Sequence, residues 1–275
     1  MTKSILITGC STGIGYTCAH ALHKKGYQVI ASCRKIADVE RLQSEGLTCI
    51  QLDVSDIESI RAGASKAIEL SNGNLYALFN NGAYGQPGAI EDLPTDALKE
   101  QFETNFFGWH ELVRNILPTM RQNGAGRIVQ NSSILGFAAM KYRGAYNASK
   151  FAIEGWTDTL RLELYGSQIH ISLLEPGPIE TRFRANALKA FKKWITIPGS
   201  VHETAYQQQM QRLEKEQSSK SFVLPPESCI QPLLHALESP KPKLRYRITT
   251  PTKVFAVLKR ILPNRWIDPL LRKAA

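Results

Sequence analysis

Within its first 26 residues the chain joins an apolar run, Ser4-Ile-Leu-Ile-Thr8, to a turn with glycines at 9, 13 and 15. An apolar helical pattern follows through Ala21 and Leu22 to Gly26. A short unbroken apolar run reads as a strand buried on both faces, and such a strand needs helices on both sides of its sheet. This one junction therefore directs the chain toward a doubly wound, mostly parallel α/β sheet. A glycine-rich turn placed there lets backbone approach a pyrophosphate and aims helix N-terminal amides at it. Comparable runs at 27–32, 47–52, 75–79, 127–132, 169–174 and 244–248 bring the expected sheet to about seven strands, the last at an edge.

At 275 residues and 43% apolar, the chain fits one large domain with a substantial core. Five cysteines at 10, 18, 33, 49 and 229 form neither Cys-x-x-Cys pairs nor clusters with histidine at metal spacing, so no metal site is expected. They read as reduced thiols of a cytoplasmic protein. No apolar run reaches the ~18 residues of a membrane span, and neither a signal peptide nor a transmembrane helix is expected. The net charge of +10 is local: residues 239–275 hold ten Lys/Arg against one acid, Asp268, a net +9. Basicity confined to a tail argues against a nucleic-acid-binding body.

The chemistry-bearing stretch is Tyr146-Asn-Ala-Ser-Lys150. Residues four apart share a helix face, so phenol and ammonium can address one point. A nearby cation favours phenolate, which would bring the tyrosine's proton exchange toward neutral pH. Alone, such a pair is commonly a surface accident; its value depends on the motifs around it.

Taken together, these motifs make the chain similar to the short-chain dehydrogenase/reductase family over about residues 3–250. That family carries a serine 13 residues before Tyr-x-x-x-Lys, which selects Ser133 over Ser132. Its Thr-Gly-x-x-x-Gly-x-Gly turn matches Gly9, Gly13 and Gly15 and implies that Ser11, Thr12 and Ile14 also border the cofactor. The residues after the second strand usually choose the cofactor: an acid suits NAD, whereas a base accepts the extra phosphate of NADP. Here Arg34 and Lys35 follow, with no acid before Asp38, so NADP(H) is expected, with Arg34 on the 2′-phosphate. A solvated arginine with NAD bound is the alternative.

The resemblance further implies that Asp53 and Val54 border the adenine, although Asp53 could instead cap the next helix, for which Ser55 is the better placed residue. Asn80, Asn81 and Gly82 would border the ribose. This chain has Asn-Asn-Gly-Ala there, where the family has Asn-Asn-Ala-Gly. A single helix over about 96–120 is expected, with a core stripe of Leu98, Phe102, Phe106, Trp109, Val113, Ile116 and Leu117. Asn105 lies inside that stripe, where a buried amide must find partners. In the family it holds a water that passes protons toward the lysine; a purely structural bond is the other possibility. Pro176, Gly177 and Ile179 would lie along the nicotinamide ring, and Thr181 on its carboxamide or on the pyrophosphate.

The implied activity is hydride transfer between NADP(H) and a hydrophobic aldehyde, ketone or alcohol. Tyr146 would be the proton donor, Ser133 the oxygen holder, and Lys150 the tuner and ribose contact. The pattern resembles most the branch of retinol dehydrogenases, 17-beta-hydroxysteroid dehydrogenases and bacterial aldehyde reductases. Reduction of a 3-oxoacyl thioester, or an NADP-binding sensor or scaffold without turnover, remain open. Family members are commonly homo-oligomers.

Residues 182–222 fall where the family's substrate lid diverges. Phe183, Ala187, Leu188, Phe191, Trp194 and Ile195 have helical spacing, suiting either a pocket wall or core packing. Residues 85–94 would face them, and 207–220 should be polar and mobile. Residues 225–237 read as a helix. From 251 to 275 the chain becomes a basic amphipathic extension with Val254, Phe255, Leu258, Ile261 and Leu262 expected on one side. That side could meet an anionic membrane surface or dock on the protein itself.

Overall fold

The computed structural model describes residues 2–214 and 222–274. Strands β1 (Ser4–Ile7), β2 (Gln28–Cys33), β3 (Thr48–Gln51), β4 (Ala77–Asn80), β5 (Gly126–Asn131), β6 (Ile169–Glu175) and β7 (Arg245–Arg247) form one sheet in the order β3-β2-β1-β4-β5-β6-β7. Every neighbouring pair is parallel. Side chains alternate across the pleat, so Ile5 and Ile7 enter one core layer and Leu6 the other.

The first layer is covered by α1 (Gly13–Lys24), α2 (Ile36–Ser44) and α9 (Ile230–Glu238), the second by α3 (Ile57–Leu70), α5 (Gly108–Gln122) and α6 (Gly144–Glu163). All five cysteines are free, buried and in the first layer. Burial pushes the Cys10, Cys18 and Cys229 thiols above their ordinary range. After β3 the chain returns to lay β4 on the other side of β1, which opens a crevice at the strands' carboxyl ends.

Four local expectations change. The 96–120 helix is divided into α4 (Thr95–Phe102), a wide π-type turn over Glu103–Phe107, and α5. Leu98, before that turn, is exposed, while Leu112 and Met120 join the core on the α5 face of Val113 and Ile116. The cap of α3 is Asp56, not Ser55: its carboxylate accepts from the Ser59 amide at 3.0 Å, while Ser55 is held by Asp53. The segment expected to be mobile from Gln207 is helical as far as Glu214, as the end of α8 (Glu203–Glu214); residues 215–220 lie outside those described. Residues 225–237 begin as a tight turn, Pro226–Cys229, before becoming α9.

The lid helix α7 (Phe183–Trp194) divides its apolar residues between both proposed uses. Phe191 and Ile195 form a satellite core with Ala89 and Tyr206, whereas Phe183 faces the cleft. The C-terminal segment folds as α10 (Thr250–Ile261) and α11 (Asn264–Ala274). Thr252, Ala256 and Ile267 are buried. Phe255, Leu258 and Leu262 are only half-buried, and Val254 and Ile261 point outward with Val257, so the expected apolar side is divided by docking.

Candidate active site

A cleft of about 610 Å³ opens over the carboxyl ends of β1, β4, β5 and β6. Ser133 reaches it from the tight turn following β5, where its hydroxyl also accepts from the Leu135 amide at 3.1 Å. Tyr146 and Lys150 reach it from the first two turns of α6. Both are buried at the cleft wall, and the Tyr146 ring packs edge-on against Phe183 at 5.3 Å between centroids.

The electrostatics differ from the sequence expectation. Burial pushes the Tyr146 phenol up to about 12, offset in part by the Ser133 hydroxyl and the Arg143 guanidinium. Lys150 is the group brought near neutrality: burial lowers it to about 7, against the pull of Glu154. Its ammonium donates to the Asn131 carbonyl at 2.7 Å, and lies 4.3 Å above the Trp109 ring and 5.7 Å from the Tyr146 ring centroid. The lysine therefore neighbours the phenol without bringing it down in this structure.

Asn105, at the centre of the π-type turn, is fully buried and satisfied. Its carbonyl accepts from the Tyr84 amide at 3.1 Å, and its amide donates to the Tyr84 carbonyl at 2.9 Å and to the Ser149 hydroxyl at 3.2 Å. Tyr84 leads into Gly85, where an added Cβ would lie 2.7 Å from Phe183 and 3.5 Å from Tyr146. The amide thus fixes the loop packed beside the Tyr146 ring.

The other end of the cleft is built from glycine. Gly9 and Gly13 have φ of +70° and +64°, which glycine adopts at low cost. A Cβ on Gly15 would fall 2.4 Å from the Gly9 carbonyl oxygen, and one on Gly13 2.9 Å from Thr181. Asn81 ties this turn to the sheet, donating to the Thr8 and Gly9 carbonyls at 2.9 and 3.2 Å and accepting from Asn131 at 2.8 Å. The exchanged Gly82 passes close to Gly9, and its carbonyl accepts the Trp109 indole N–H at 2.9 Å. The backbone cradle, with Arg182 and Arg184 also lining the cleft, suits a dinucleotide.

Of the sequence-selected residues, Gly9, Ser11, Thr12, Gly13, Ile14, Asn81, Gly82, Ser133, Tyr146, Lys150, Pro176, Gly177, Ile179 and Thr181 line this one cleft. Gly15 and Asn105 lie behind it. Asn80 is wholly buried at the end of β4, beneath the cleft. Arg34 and Lys35 are exposed beyond β2, and the Asp53 carboxylate accepts from the Ser55 hydroxyl at 2.7 Å. Val54 instead borders a shallower hollow between α3 and the π-type turn.

Sequence reasoning missed several supporting residues. Arg41 donates to the Ser11 carbonyl at 2.7 Å and so braces the glycine turn. Arg245, on the edge strand, holds Glu154 at 3.0 Å and Asp158 at 2.7 Å on α6, and Glu175 at 3.1 Å beside the Pro176 turn. Arg247 adds a contact to Glu175 at 3.2 Å. Burial, reinforced by Glu154, nevertheless raises the Glu175 carboxyl to about 7. The only sequence signal for this brace was a pair of arginines alternating on a short strand, which reads equally as a solvated edge.

Comparison with known proteins agrees with this geometry. The model of the short chain dehydrogenase family matches residues 3–191. The chain is 42% identical over 272 residues to the uncharacterized oxidoreductase YbbO of Escherichia coli strain K12, covering 99% of this chain and 95% of that protein. It is 34% identical to human retinol dehydrogenase 8, covering 94% of this chain and 85% of the relative. A short-chain dehydrogenase structure from Streptomyces avermitilis superposes with a TM-score of 0.77 at 26% identity, covering 94% and 92% of the two chains. A parallel seven-stranded sheet, a glycine cradle and a convergent Ser-Tyr-Lys site, together with a family match spanning more than half its length, make this chain a member of the short-chain dehydrogenase/reductase family of oxidoreductases.

Proposed function

We propose that the protein is an NADP(H)-dependent oxidoreductase that interconverts a hydrophobic aldehyde or ketone and its alcohol. The observation carrying this reading is the convergence of Ser133, Tyr146 and Lys150 on one cleft that continues into the glycine cradle. NADP(H), when bound, supplies or accepts the hydride. Ser133 holds the substrate oxygen. Tyr146, which remains protonated at neutral pH while its pKa lies near 12, donates its proton to the oxygen as negative charge develops there. Lys150, held near 7, exchanges a proton in the working range and secures the ribose. Asn105 fixes the adjoining loop.

Preference for NADP(H) over NAD(H) is supported by exposed Arg34 and Lys35 directly after β2. The nearest acid, Asp38, pairs with Arg41 at 3.3 Å. Phe183, Leu135 and Met140 supply an apolar lining near Tyr146, supporting a hydrophobic substrate. Exposed Ile57 and Phe107 beside the shallow hollow support a homo-oligomer, and five free buried thiols support a cytoplasmic protein.

The test is NADPH consumption with a panel of aldehydes. Wild type is expected to turn over at least one of them, and Tyr146→Phe to lower kcat about 10²–10⁴-fold. Equal rates would remove Tyr146 from the mechanism; preference for NADH would overturn the cofactor assignment.

A further inference from the structure

Helix α10 begins directly behind the active site. A Cβ on Gly177 would lie 2.1 Å from the Thr249 hydroxyl and 2.8 Å from that of Thr252, and the two threonines share a hydrogen bond of 2.9 Å. The helix also packs on the tight turn Ile134–Gly136, whose Ile134 and Leu135 line the cleft. Its position is therefore fixed relative to the substrate entrance.

The face turned away from the body is not that of an ordinary solvated helix. Val254, Val257 and Ile261, at spacings i, i+3 and i+7, form one outward stripe on α10, and Trp266 and Leu270, at i and i+4, form another on α11. These five side chains are between 44% and 68% exposed. Isolated exposed apolar residues need no explanation, whereas aligned stripes on consecutive helices indicate an occupant. In sequence, residues 250–274 carry Lys253, Lys259, Arg260, Arg265, Arg272 and Lys273 against the single acid Asp268, a net charge of +5.

We propose that α10 and α11 dock this protein on an anionic lipid bilayer, with the apolar stripes entering the headgroup boundary and the cations meeting lipid phosphates. The charge selects this occupant. A segment of net charge +5 with an exposed apolar face matches an anionic surface, where each cation contributes attraction and a tryptophan is favoured at the boundary. The same charges would repel one another across a symmetric contact with a second copy. Docking there deepens the reading given above, on which this consequence rests: the hydrophobic carbonyl substrate is drawn from the membrane and reaches the cleft past Leu135.

The experiment uses the full chain and vesicles of neutral phosphatidylcholine or of phosphatidylcholine with about one third phosphatidylglycerol. Sedimentation with the vesicles is measured, together with turnover of a short water-soluble aldehyde. Binding to anionic vesicles is expected to exceed binding to neutral ones at least tenfold and to collapse in 0.5 M salt. Val257→Ser with Ile261→Ser should weaken it about tenfold or more, with turnover of the soluble aldehyde unchanged. Absent binding, or equal binding to both vesicle types, would overturn the proposal. So would self-association abolished by the double variant without vesicle binding, which would assign the face to a second copy. Vesicle binding without turnover of any aldehyde would leave the docking in place and sink the catalytic reading instead.

Discussion

Removing the Asn105 side chain tests how the active site is held. Asn105→Ala withdraws the acceptor 3.1 Å from the Tyr84 amide and one of the two donors to the Tyr84 carbonyl, which keeps its bond from the Gln101 side chain at 2.9 Å. A buried backbone group left without a partner costs about 1–3 kcal/mol. The Tyr84 amide is the one group left so, and the expected loss is about 1–3 kcal/mol. For a chain of this size that corresponds to a fall in Tm of roughly 3–9 °C. Held then by Gln101, which bonds the Tyr84 carbonyl and the Gln86 amide, the Tyr84–Gly85 loop can shift against the Phe183 and Tyr146 rings. The substrate KM should then rise even at temperatures where the variant is folded. The assay is thermal unfolding alongside kcat and KM with NADPH and an aldehyde at 20 °C. A Tm within 2 °C of wild type with KM unchanged would refute the argument that this amide supports the loop. A lower kcat whose pH profile also shifts would add a role in moving protons to the structural one.

Arg34→Asp should raise the KM for NADPH at least tenfold while improving use of NADH; unchanged NADPH kinetics would remove the side chain from cofactor selection. Gly15→Ala forces a Cβ to within 2.4 Å of the Gly9 carbonyl, so the variant should lose tight NADPH binding measured by fluorescence, and retained affinity would show that the turn is softer than its geometry implies. Burial lowers Lys150 to about 7 from 10.5, so the unfolded chain binds the extra proton between those values and the wild type gains stability as pH rises across that window. Lys150→Met lacks this dependence, and its stability relative to wild type should decline from pH 7 to pH 10 in urea titrations; a constant difference would place the lysine near its ordinary pKa.

The centre of the sheet was legible because β1, β2 and β4 are dominated by short apolar runs, and a fully buried parallel strand permits little else. Gly9, Gly13 and Gly15 were legible for a related reason, since backbone that must approach backbone excludes a Cβ. Where sequence reading failed, the deciding contact was distant along the chain. The π-type turn around Asn105 follows from the amide's need for Tyr84, 21 residues away, and periodicity alone continues the helix through it. Arg245 reads as a surface residue until β7 is laid beside β6, which brings it onto Glu154, 91 residues earlier. The Tyr146 expectation erred because charge proximity was weighed without desolvation, the larger influence on both the phenol and the ammonium.

The gathering of every thiol into one layer of the core gives the molecule an internal clock. A thiol-reactive dye added to the native protein has nothing to attack until the shell formed by α1, α2 and α9 parts from the sheet. The labelling rate therefore times how often that shell opens, and it stays silent to motion of the lid helices on the far side of the cleft. Cofactor seated on the glycine turn at the head of α1 should slow this clock, making occupancy readable without any substrate.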